Sequence, residues 1–91
     1  MYLTKILSQR EDIAWKEIED QIVLMDLGPK KMVHRLNSVG SFIWKRLDGK
    51  NDLEAIKSAL CSEYSITTEL AENDLLEFIE NMEKLGVIVG S

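Results

Sequence analysis

Residues 36–49 read Leu36-Asn37-Ser38-Val39-Gly40-Ser41-Phe42-Ile43-Trp44-Lys45-Arg46-Leu47-Asp48-Gly49. This stretch sets where sheet gives way to helix. Asn37 or Ser38 can cap a helix by accepting a hydrogen bond from a free backbone N–H. Val39, Phe42, Ile43 and Leu47 then fall on one helical face, which predicts an amphipathic helix over 38–48. Gly49 stands where a chain leaves a helix in the left-handed conformation.

Strand patterns precede the segment. Ile13, Trp15 and Ile18 suggest a first strand over 13–18, broken near Glu19-Asp20. Ile22-Val23-Leu24-Met25-Asp26-Leu27 is β-branched and apolar, as suits a central strand over 22–27. Gly28-Pro29 signals a turn. The alternation Met32-Val33-His34-Arg35-Leu36 predicts a third strand over 31–36. Such short connections favour an antiparallel meander, because parallel strands need longer crossovers.

Helical patterns follow. Asn51 with Glu54 fits a capping box, and Leu53, Ile56, Leu60 and Tyr64 recur at helical spacing, giving a helix over 52–64. A third helix over 68–85 presents Ala71, Leu75, Phe78, Ile79, Met82 and Leu85, with Leu75, Phe78 and Met82 central and Ile79 towards one margin. Gly86 is its terminator, and Val87-Ile88-Val89 can fold back on the core. Three strands followed by three helices argue for an α+β fold: a small three-stranded antiparallel sheet covered by helices, winged-helix-like. Residues 1–12 read as an N-terminal arm tacked down by Leu3, Ile6 and Leu7, and 13–91 as a single domain.

A chain of 91 residues, 45% hydrophobic, supports one modest core. No apolar run is long enough for a membrane span or a signal peptide. The single cysteine, Cys61, excludes an internal disulfide, and the combination suits a reducing, cytoplasmic setting. The net charge of −5 is uneven: residues 1–50 carry nine Lys/Arg and seven Asp/Glu, residues 51–91 two and nine.

These features exclude several function classes. His34 and Cys61 are the only residues of their kinds, too few for a closed zinc site or a His-based catalytic constellation. The scattered glycines make no phosphate-binding loop, so no cofactor is implied. Nucleic acid is a poor partner. A recognition helix needs Arg, Lys, Asn or Gln against bases and phosphates, yet the third helix carries six carboxylates and one lysine, Lys84.

The ordered pieces resemble the PqqD family of small peptide chaperones, also called RiPP recognition elements. The resemblance runs through Ile13-Ala14-Trp15-Lys16, Val23 to Leu27, Arg35-Leu36-Asn37, the 36–49 segment and Asp74-Leu75…Phe78-Ile79…Met82…Leu85-Gly86-Val87-Ile88, about 75 of the 91 residues. It implies a non-catalytic protein that binds the leader segment of a ribosomally made precursor peptide. The leader would add a strand to the third strand, pack on the third helix, and be presented to a modifying enzyme such as a radical SAM protein. The peptide-binding residues expected on that basis are Lys31, Met32, Val33, His34, Arg35 and Leu36 against Asp74, Leu75, Phe78 and Ile79. Many family members carry aromatic residues late in the third strand, where this chain has Val33 and His34. A protein–protein adaptor or homodimer using the same edge strand is the second reading.

Overall fold

The structure is a computed structural model that describes residues 2–26 and 32–90. After a short 3₁₀ turn at Tyr2–Thr4, strands β1 (Ile6–Gln9), β2 (Ile13–Ile18), β3 (Gln21–Asp26) and β4 (Val33–Arg35) lead into helix α1 (Ser38–Lys45). Strand β5 (Asp48–Asp52), helices α2 (Leu53–Tyr64) and α3 (Thr68–Leu85), and strand β6 (Ile88–Gly90) complete the order. The fold is α+β, with the expected antiparallel meander in the order β2-β3-β4. Gly28-Pro29, Lys31 and the last residue of the expected second strand, Leu27, lie outside the described residues.

A second three-stranded sheet, β5-β1-β6, was not anticipated. It takes in the expected arm, because β1 pairs antiparallel with both β5 and β6 and buries Leu7. Its partners lie about 40 and 80 residues away, so no local pattern announces it. The same sheet ends α1 earlier than 48. Arg46 is the C-cap, and Gly49, at φ +79°, sits inside β5 rather than terminating a helix. The Asp48 carboxylate accepts from the backbone N–H groups of Lys50 and Asn51, fixing that irregular strand. Asp52, not Asn51, caps α2: its carboxylate accepts from Ala55 N at 2.8 Å.

Other helix ends follow their local chemistry. Asn37 caps α1 and Thr67 caps α3, each accepting from the N–H three residues on. Gly86 closes α3 at φ +72°, a conformation that favours glycine. Ser41 Oγ accepts from Ile22 N at 2.8 Å, tying α1 to the buried middle of β3.

The core runs between the meander and the helices. Ile22 and Leu24 of β3 meet Ile43, Trp44 and Leu47, with Leu53, Ile56, Leu60, Leu75 and Ile79 beyond them, all at most 1% exposed. Trp44 is a packing residue with no exposed surface. Lys57 Nζ lies 3.1 Å from Glu54 and 3.6 Å from Glu72, pinning α2 to α3. The Glu54 hydrogen bond, helped by both carboxylate charges, raises the Lys57 pKa against the cost of its desolvation. No helix among the described residues is long and apolar enough to cross a membrane.

Candidate functional site

Strand β4 is an edge of its sheet, and its register determines what that edge offers. Val23 faces Arg35, Leu24 faces His34, and Met25 faces Val33. Leu36 N donates to Ile22 O at 2.7 Å, and Asp26 N donates to Met32 O at 2.8 Å. Those two bonds make positions 32, 34 and 36 the hydrogen-bonded ones of the antiparallel ladder. The backbone N–H and C=O groups of Val33 and Arg35 therefore point away from β3, along the open edge.

Beside that edge runs a groove between β4 and α3, floored by the start of α1. Its first half, about 260 Å³, is lined by His34, Arg35, Leu36, Phe78, Met82 and Leu85. Its second half, about 230 Å³, is lined by Val39, Ile43, Asp74, Glu77 and Phe78. Asn37, Gly40, Phe78 and Asn81 border both halves, so Phe78 is the ridge at the centre. Gly40 makes the ridge's seat. A Cβ there would stand 2.9 Å from Phe78 Cε1, closer than carbon atoms pack. Asn37 Oδ1 accepts from Gly40 N at 2.7 Å, which holds this first turn against the strand end.

The expected site residues divide into several groups. His34, Arg35, Leu36, Asp74 and Phe78 line the groove. Met32 is half-buried and engages β3 through its carbonyl, while Lys31 lies outside the described residues. Val33 is 65% exposed, and strand alternation puts its side chain, with that of Arg35, on the sheet face opposite the buried Leu24. Leu75 and Ile79 have no exposed surface and belong to the core beneath the groove. Ile79, expected at the margin of the apolar stripe, is at its centre, and Phe78, expected at the centre, is half-buried at the margin.

Sequence reasoning missed Asn37, Val39, Gly40, Ile43, Glu77, Asn81, Met82 and Leu85 as groove residues. A glycine in the first turn of a helix, directly after a strand, was the available signal for a close approach.

The groove combines apolar walls with a few polar atoms. His34 Nε2 is buried without a hydrogen-bond partner among the described residues. Asp74 and Glu77 make the far end acidic. Among the described residues no three His, Cys, Asp or Glu side chains are placed to share a metal ion. The arrangement suits reception of an extended chain: a free strand edge gives backbone bonds, and a groove beside it accepts alternate side chains.

Three comparisons bear on this geometry. The family model for coenzyme PQQ synthesis protein D (PqqD) matches residues 21–88. No curated relative matches the chain. Among solved structures, TbiB1 in complex with the TbiA(beta) leader peptide is 28% identical, with a TM-score of 0.83 over 92% of this chain and 96% of that one. Lasso peptide synthetase B1 complexed with the leader peptide shares the fold, at 23% identity, a TM-score of 0.81, and 92% and 98% coverage.

Proposed function

The chain belongs to the PqqD family, and on that premise we propose that it binds the leader segment of a ribosomally made precursor peptide and presents it to a modifying enzyme. The observation that carries the proposal is the outward edge at Val33 and Arg35, which lies directly beside a partly apolar groove. The leader peptide named with TbiB1 supports it.

In this reading the leader adds a fourth strand next to β4. Val33 and Arg35 together supply two donors and two acceptors. At a net of about 1 kcal/mol each, four backbone bonds give roughly 4 kcal/mol, which corresponds to only millimolar affinity. Affinity and selectivity must therefore come from side chains that enter the groove. Burying one or two apolar side chains against Phe78, Met82 and Leu85, at about 1.5–3 kcal/mol each, brings binding towards the micromolar range. Asp74 and Glu77 favour a peptide with a basic or neutral residue at that end. The protein's part is positioning, and the chemistry belongs to the enzyme, for which a radical SAM protein is the class the family suggests.

Val33→Pro tests strand addition. It removes an outward donor but no bond to β3, and proline is tolerated on edge strands. Leader affinity should fall about fivefold by calorimetry, with the fold kept. Arg35→Glu tests the charged side chain that flanks an added strand on the outer face, and Asp74→Lys tests the acidic end of the groove. Unchanged leader affinity in all three folded variants would refute the site.

A further inference from the structure

The meander has a second face, turned away from the helices. Its helix-covered face carries Ile22, Leu24 and Leu36; strand alternation therefore puts the intervening residues on the other side. There, cross-strand register aligns Lys16, Val23 and Arg35 in one row and Ala14, Met25 and Val33 in the next, with Ile18 beyond. Val33 is 65% exposed and Ile18 43%.

The charge on this face is opposite to that of the chain. The net charge is −5, yet the face carries two cations and no carboxylate. Neither Lys16 nor Arg35 has an ion-pair partner among the described residues. The face is also continuous with the strand edge. A peptide added beside β4 would extend both rows, placing its own outward side chains next to Val33 and Arg35.

We propose that this outer sheet face, extended by the bound leader, docks the modifying enzyme through an apolar patch bordered by carboxylates; the proposal rests on the leader-binding reading above. A second copy of this chain is a poor occupant. A two-fold interface would bring two copies of this cationic face together, with no carboxylate on the face to compensate. A surface completed by the peptide gives the enzyme a way to distinguish loaded from empty chaperone.

The test uses the full chain with leader peptides and modifying enzymes drawn as candidates from the reading frames that flank its gene. Lys16→Glu reverses one cation and Ile18→Ser removes an exposed apolar group; neither touches the groove or the β4 edge. Both variants should bind leader within about twofold of wild type, since surface changes away from a site have small effects. Enzyme affinity for the leader-loaded double variant should fall about tenfold, and wild-type affinity should weaken with added salt. Unchanged enzyme affinity in the double variant would overturn the proposal, as would equal enzyme affinity for the leader-free chain. A wild-type dimer in sedimentation that Ile18→Ser dissociates would reassign the face to self-association and also overturn it. Failure of the wild-type chain to bind leader at all is a separate readout, and would refute the leader-binding reading itself.

Discussion

Gly40→Ala should weaken leader binding while leaving stability nearly unchanged. The new methyl carbon would stand 2.9 Å from Phe78 Cε1 and 3.2 Å from both Phe78 Cδ1 and Asn37 Oδ1. Carbon pairs are comfortable at about 3.5–4.0 Å, so the ring must retreat by roughly 0.6–1 Å. It can do so because Phe78 is only half-buried, and the open side is the groove. Alanine gains up to about 1 kcal/mol over glycine in a helix. A displaced ring costs about 0.5–1.5 kcal/mol, so the two effects nearly cancel in stability. They do not cancel in binding. The retreating ring occupies space that a leader side chain needs, and overpacking of this kind costs about 1–3 kcal/mol, or roughly ten- to a hundredfold in affinity. Thermal unfolding and calorimetric titration of the same preparation separate the two effects. Leader affinity equal to wild type in a folded Gly40→Ala protein would refute Phe78 as the central ridge of the site.

Further outcomes follow from the scaffold. Ser41→Ala leaves the buried Ile22 N–H without its acceptor and should cost about 1–3 kcal/mol in chemical denaturation, with leader affinity unchanged. Lys57 has a raised pKa in the folded state, so its contribution is fully present at neutral pH and is lost as pH rises above 10.5 through the folded value. Stability of the wild type, but not of Lys57→Gln, should decline in that alkaline window. The Asp48 carboxylate is held below its ordinary 3.8, first by the Lys50 backbone N–H, so its contribution is present above that value and is lost as pH falls through the folded one. Asp48→Asn should flatten the acid limb of the stability curve.

What the sequence disclosed was mostly local. The cap at Asn37, the stop at Gly86 and the alternation of β4 each depend on a few neighbouring residues, and each could be read directly. The small sheet could not, because β1 pairs with β5 and β6 from distant parts of the chain. That pairing also explains the misread Gly49, whose positive φ serves an irregular strand instead of a helix end. The phase of α3 needed tertiary information. Ala71, Leu75, Ile79 and Met82 turn to the core, which leaves Phe78 and Leu85 at the groove. Strand parity placed Val33 and Arg35 on one face from the sequence alone. Only the bonds at positions 32 and 36 show that their backbone groups also face outward.

Amide hydrogen exchange across a leader titration tests strand addition most directly. In the free protein the His34 amide, turned towards β3, should be protected, while those of Val33 and Arg35 exchange freely. On saturation with leader, Val33 and Arg35 should gain at least about tenfold protection, equivalent to roughly 1.4 kcal/mol each. Leader binding that leaves both amides exchanging as in the free protein would contradict strand addition at β4.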